Sequence, residues 1–322
     1  MKPIIDTYKL RKKYGDTIAV DSLNLSIYPG EVFGLLGPNG AGKSTTILML
    51  MGLSEPTFGK AMVCSYDASK QPLEVKKKVG FLPDNVGFYK SRTALENLIF
   101  IAQLNGISFD EAKVKGQELL VKVGLGDVIN KKVGAFSKGM IQRLGLAEVL
   151  IKDPEVIILD EPTTGIDPSG IKDFLNLIVS LSKKEQRTVL FSSHHLHQVQ
   201  HVCDRVGIFV KGRLLACGDM QTLSKELFNM DAYSVEVEVD CERLSLTAEE
   251  LKRRLQTEIS SISNIQFVDE KNLLIGSGKD IRLELNKALL ALGIGVVTLK
   301  EKHYGLDEIY QKYFEGGKIN DL

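Results

Sequence analysis

The sequence predicts an α/β domain built on a mainly parallel sheet, followed by a small α+β domain. Three observations carry that reading. Short branched apolar runs alternate with helical patterns over roughly the first 220 residues. Between Asp84 and Leu150 the strand signals give way to helix-start signals. Beyond Phe228–Ala232 the order of elements becomes β-α-β-β-α-β.

Composition sets the frame. A chain of 322 residues, 43% hydrophobic and 25% charged, has ordinary globular composition and room for two domains. Lys+Arg and Asp+Glu both number 41, so the net charge is zero and nothing electrostatic favours nucleic acid as the main partner. The four cysteines, Cys64, Cys203, Cys217 and Cys241, form no CxxC pair, which suits a reducing compartment better than a disulfide framework. The first residues, MKPIIDTYKLRKKYG, lack the apolar core of a signal peptide. No uncharged apolar run approaches the ~18 residues of a membrane span. A cytoplasmic protein is expected, with any membrane role passing through a separate partner.

The elements follow in order. VFGLLG (32–37), VGFLP (79–83), VIILD (156–160), TVLFSS (188–193) and RVGIFV (205–210) read as strands buried on both faces, the mark of a parallel sheet under helices. Residues 17–28, TIAVDSLNLSIY, alternate more and predict a small antiparallel portion. Thr93 with Glu96, and Ser108 with Glu111, have capping-box spacing, and Gly124 is placed to end the second helix. The helical insertion therefore spans about 85–150, within a first domain of 1–228. In the second domain, 229–322, SVEVEV (234–239) reads as a strand and Thr247 with Glu250 opens a helix. A hairpin follows, NIQFV then NLLIGS around Asp269–Lys271, then a helix at 282–292, the strand GVVTLKE and a helix from about Leu306. That order is the ferredoxin-like split βαβ pattern. His303 and Cys241 read as ordinary surface or core.

Residues 37–45, GPNGAGKST, satisfy GxxxxGK[ST] between a strand and an apolar helical run. Glycines at 37, 40 and 42 let backbone N–H groups curl around phosphate oxygens, and the helix adds its positive end. Lys43 is placed to reach the β- and γ-phosphates, and the Ser44 hydroxyl to hold Mg²⁺. Such a loop alone leaves kinase, GTPase and ATPase open. VIILDE (156–161) narrows the choice, because an apolar strand ends there in two carboxylates. Asp160 is placed to hold Mg²⁺, and Glu161 to polarise the water that attacks the γ-phosphate.

With these residues in order, the sequence resembles the nucleotide-binding subunits of ATP-binding cassette (ABC) transporters over about residues 4–220. The resemblance implies a P-loop NTPase with a RecA-like core, an antiparallel β subdomain and a helical insertion. It implies an ATP cradle of Gly37, Pro38, Asn39, Gly40, Ala41, Gly42, Lys43, Ser44 and Thr45, with Tyr14 stacked on adenine. FSKGMIQR (136–143) is similar to the family signature, which implies that Ser137 caps a helix and that Gly139 lets backbone approach the γ-phosphate held by a partner subunit. Phe136, Lys138 and Met140 depart from the commonest LSGGQ, and the SKGM variant resembles ATPases that drive type-2 export permeases. Gly165-Ile-Asp167 resembles the loop that bridges two subunits, so a dimer, or pairing with a similar chain, is implied. Asp84 stands where the family usually has Gln; the resemblance gives it a share in sensing Mg²⁺ and water and in coupling to the permease.

Four histidines crowd into SSHHLHQVQH (192–201). The resemblance assigns the γ-phosphate to His194, at the end of the strand. On the helix that follows, Leu196, Val199, Val202 and Cys203 share a face that packs, while His197 and His201 lie four apart on the opposite side. Two histidines without a third ligand make a poor metal site, so a solvated face is the reading for them. The function this implies is an ATP-hydrolysing subunit, with Mg²⁺ and ATP, that powers a separate export permease from the cytoplasmic face of the membrane. The alternatives are a cassette ATPase acting on nucleic acid or ribosomes, and a nucleotide-gated module that does not hydrolyse. The first lacks a second cassette, coiled coil or zinc insertion here. Intact Glu161 and His194 weigh against the second.

Overall fold

The computed structural model describes residues 1–220, 222–223, 233–240, 247–269, 271–302 and 306–315. Two compact units emerge, Met1–Asp219 and Met220–Asp321, so the division falls before the expected boundary at 228. His303 and Cys241 lie outside the described residues.

In the first unit the five expected strands form one sheet: β3 (Val32–Leu36), β6 (Val79–Leu82), β7 (Val156–Asp160), β8 (Thr188–Ser193) and β9 (Arg205–Val210). With β10 (Arg213–Gly218) at one edge, the order is β10-β9-β3-β8-β7-β6, parallel throughout except for the antiparallel β10. Continuous apolar runs suit this placement because helices cover both faces. Ile157, Ile158 and Leu159 on β7 are all completely buried. Each such side chain contributes about 1.5–3 kcal/mol, which fixes where the strand, and the carboxylates after it, must lie.

A second, antiparallel sheet packs β2 (Thr17–Ile27), β1 (Ile5–Tyr14), β4 (Phe58–Val63) and β5 (Tyr66–Asp67) in the order β2-β1-β4-β5. Residues from both sheets, among them Ile5, Leu25, Phe33, Ile158 and Phe209, share one core. The antiparallel portion is thus larger than residues 17–28 suggest. In β1, IDTYKLRKKY, the alternation is broken by register shifts and by Lys9 at φ 43°, which hides the strand behind a run of charges.

The insertion between β6 and β7 carries α3 (Ala94–Leu104), α4 (Phe109–Lys122) and α5 (Lys138–Leu150). Thr93 and Glu96 form the full reciprocal capping box, whereas Ser108 only accepts from the Glu111 amide. Gly124, at φ 76°, follows the end of α4 as expected.

The second unit has a four-stranded sheet in the order β12 (Ile262–Phe267), β13 (Asn272–Ser277), β11 (Tyr233–Val239), β14 (Val296–Glu301). All its pairings are antiparallel, and the helices Ala248–Glu258 and Arg282–Ala291 join the strands in the split βαβ sequence. Val235, Val237, Leu273 and Ile275 bury one sheet face against Leu251, Leu255, Leu285 and Leu289. Thr247 and Glu250 close a complete capping box at the first of these helices.

Candidate nucleotide site

The loop after β3 is shaped first by its own chain. A Cβ on Gly37 would sit 2.1 Å from the Phe209 carbonyl oxygen, and one on Gly42, at φ 106°, would sit 2.2 Å from the Ala19 carbonyl oxygen. Those two glycines are therefore demanded by close backbone approach. The loop feeds α1 (Lys43–Leu50), whose N-cap is Gly42, with no side-chain cap and no acidic residue in the first turn. Its leading N–H groups and its positive end are thus left for an anion. Pro38, Asn39, Gly40 and Ser44 are exposed at this rim, while Gly37 and Ala41 are buried and Thr45 is half-buried.

Parallel register gathers the rest. Leu36 on β3 lies beside Ser193 on β8, Ser192 beside Asp160 on β7, and Leu159 beside Leu82 on β6. The residues just beyond these strand ends, Gly37, His194, Glu161 and Asp84, consequently share one sheet edge. Lys43, only 5% exposed, donates to the carbonyls of Gly37 at 2.7 Å and Pro38 at 3.2 Å. Its Nζ also lies 3.3 Å from Glu161 Oε1, an ion pair without hydrogen-bond alignment, so that buried oxygen has no hydrogen-bond donor. The other carboxylate oxygen, Oε2, is 2.8 Å from His194 Nδ1. Glu161 itself stands in the left-handed region at φ 48°, a strained state that a β7-to-loop turn must hold in place.

His194 is the histidine that contacts Glu161, at the strand end where the resemblance puts the γ-phosphate histidine. His195 caps α7 (Leu196–Val202), its amide donating to Ser193 Oγ at 3.0 Å and its ring centroid 4.0 Å from that of His194. Desolvation, then the neighbouring His194, pushes the His195 pKa down. His197 and His201 instead line a cavity of about 490 Å³ beside α6 (Pro168–Lys183), with Ile171, Lys172 and Leu175. Among the described residues, no three His, Cys, Asp or Glu side chains converge as a metal site. Val199 and Val202 are buried as expected; Leu196 and Cys203 are half-buried, and burial pushes the Cys203 thiol up.

Signature and bridging-loop residues form a second cluster. Ser137 caps α5, accepting from the Met140 amide at 3.3 Å. Asp167 caps α6, accepting from the Gly170 amide at 2.9 Å, and bonds from Ser169 and Gly170 hold its carboxyl below the usual range. A Cβ on Gly165 would lie 3.1 Å from Lys138 Cγ, and one on Gly139 would lie 3.4 Å from Ile166 Cγ2, so the two segments pack together. The Asp84 carbonyl joins this cluster to the nucleotide edge, accepting from Lys138 Nζ and Gln142 Nε2, both at 3.4 Å. Its carboxylate Oδ1 is buried with no hydrogen-bond partner. Tyr14 ends β1 with a 49% exposed ring, 4.8 Å beneath Lys12 Nζ, and its hydroxyl meets Ser54; these contacts do not tie it to the phosphate loop.

The donors fit a hard cation beside phosphate. Asp84 Oδ1 is buried without a hydrogen-bond partner, Asp160 is a buried carboxylate at the end of β7, and Ser44 is exposed at the helix start. Oxygen-only donors of this kind suit Mg²⁺. One participant escapes sequence motifs altogether: Ser192, a completely buried hydroxyl that donates to Asp160 Oδ1 at 2.6 Å. A polar residue inside the apolar strand TVLFSS is the one signal that marks it.

Comparison with known proteins points to one family. A family model described as "ABC transporter" matches residues 20–164. The bacitracin transport ATP-binding protein BcrA of Bacillus licheniformis is 35% identical over 319 residues, 99% of this chain and 100% of that protein. The linearmycin resistance ATP-binding protein LnrL of Bacillus subtilis is 38% identical over 224 residues, 70% of this chain and 72% of its own length. Among solved structures, cbiO1 from Clostridium perfringens, part of the ABC transporter complex cbiONQ, is similar with a TM-score of 0.63 and 26% identity, covering 81% of this chain and 97% of that one.

Proposed function

The chain belongs to the ABC transporter ATP-binding proteins, and we propose that the carboxyl edge of its six-stranded sheet is where it hydrolyses ATP. It is an ATPase that powers a separate permease. No helix among the described residues is long and apolar enough to cross a membrane, in keeping with a span carried on another chain. The triphosphate lies along the loop of residues 37–45, and Tyr14 receives the adenine. Lys43 exchanges the carbonyls of Gly37 and Pro38 for the β- and γ-phosphates, a stronger charge-assisted pairing. That exchange relieves Glu161 of its cationic neighbour. Glu161 then takes the proton of the attacking water, and His194, already 2.8 Å from it, holds water and γ-phosphate in line. When bound, Mg²⁺ supplies charge neutralisation on the phosphates, and Ser44, Asp160 and Asp84 would hold it.

Ser137 and Gly139 serve the ATP of a second subunit, either another copy or a similar ATPase. A side chain would fit at Gly139 within the chain, so its glycine serves what approaches from outside. Asp167 lies in the loop that bridges the pair, and Asp84 links its closure to the permease. The relatives named for bacitracin transport and linearmycin resistance favour an exporter, with this subunit on the cytoplasmic face of the membrane.

The observation that carries this reading is Glu161, whose two oxygens face Lys43 and His194. Glu161→Gln is expected to bind ATP, to shift to a stable dimer with ATP in light scattering, and to hydrolyse about 10²–10⁴-fold more slowly. Near-wild-type turnover by that variant contradicts the assignment.

A further inference from the structure

Ser192 lies on β8, completely buried, with Asp160 as its Cα partner on β7 and Leu35 as its partner on β3. A hydroxyl has one donor and two acceptor sites. Here the donor goes to Asp160 Oδ1 at 2.6 Å, and the oxygen accepts from the Glu161 amide at 3.1 Å. The Ser192 carbonyl accepts from the same amide at 3.2 Å. Three hydrogen bonds of the two-residue acidic turn therefore converge on one residue of the neighbouring strand. Glu161 is the residue that needs them most, because its φ of 48° is unfavourable for a side chain with a Cβ.

We propose that Ser192 is a positioning residue for ATP hydrolysis, its hydroxyl orienting the Asp160 carboxylate and holding the Glu161 backbone in its strained turn. This rests on the roles given above to Asp160 and Glu161. The Ser192 hydrogen bond fixes the rotation of the Asp160 carboxylate, whose remaining lone pairs would serve the cation. The amide bond fixes where the Glu161 side chain starts, and thereby its aim at Lys43 and His194. Loss of the hydroxyl leaves a buried carboxylate oxygen without its donor and the strained turn with one acceptor fewer. Geometry at the reacting atoms, more than nucleotide capture, is what it controls.

The test uses the full-length chain and two readouts, binding of a fluorescent ATP analogue with and without Mg²⁺, and steady-state ATP turnover. Ser192→Ala is expected to bind the analogue in EDTA within about twofold of wild type. It is expected to lose about tenfold of the Mg²⁺-dependent gain in affinity and about 10–100-fold in kcat. Ser192→Thr, which keeps the hydroxyl, is expected to recover most of both. Ser192→Cys takes the same measurements if the alanine variant does not fold. Wild-type Mg²⁺ dependence and kcat in the hydroxyl-less variants overturn the proposal, as does equal weakening with and without Mg²⁺. Asp160→Asn separates the two levels. If it loses Mg²⁺ dependence while Ser192→Ala does not, only the role of Ser192 fails; if Asp160→Asn keeps Mg²⁺ dependence, the reading of the site fails with it.

Discussion

At the carboxyl edge of the six-stranded sheet, Lys43, Asp160 and Ser192 are 5%, 8% and 0% exposed, and buried oxygens of Glu161 and Asp84 lack hydrogen-bond partners. In the C-terminal unit the charged groups are arranged differently. Arg282 and Asp280 pair at 2.7 Å, Lys300 and Glu236 at 3.1 Å, and Thr247 with Glu250 completes a reciprocal cap. One region holds polar capacity that the chain itself does not use, at the cost of desolvation and a strained turn. The groups just named in the other pair with one another within the chain. A ligand would complete the first, which is why the chemistry belongs to the sheet edge.

Substitutions test that contrast. Lys43→Ala is expected to have the largest effect, lowering ATP affinity by about a hundredfold or more in a binding titration, because it removes a buried cation from phosphate. ATP affinity within a few-fold of wild type would remove the phosphate-binding premise. At the other extreme, Thr247→Ala is expected to cost about 1 kcal/mol of stability and to lower the unfolding temperature of the C-terminal unit by a few degrees in calorimetry. ATP turnover should stay unchanged. A large fall in turnover on removing that cap would mean that the second unit shares in catalysis, and the contrast would fail.

What was legible in the sequence was local. Apolar runs declared the five strands, GPNGAGKST declared the phosphate loop, Thr93 and Thr247 declared helix starts by their own spacing, and the family resemblance gave the start at Ser137. His194 could be placed because the resemblance assigns the role to a strand-end histidine and TVLFSS ends directly before that residue. What stayed hidden depended on partners distant in the chain. The bond from Ser192 to Asp160 arises from the register of β7 against β8, which no local pattern encodes. Asp84 meets Lys138 and Gln142 through its backbone carbonyl, so its side-chain chemistry gave no hint of the link. Strand β1 was masked by bulges that break its alternation. Gly37 and Gly42 were readable as a phosphate loop, but the carbonyls of Phe209 and Ala19 that exclude any side chain there were not.

The central claim is that position at the end of β8, rather than the density of histidines, selects the working residue. Phosphate release at saturating Mg²⁺ and ATP, compared across His194→Ala, His197→Ala and His201→Ala, tests it most directly. The account predicts a fall of about a hundredfold or more for His194→Ala and rates near wild type for the other two. Equal losses in all three variants would contradict it.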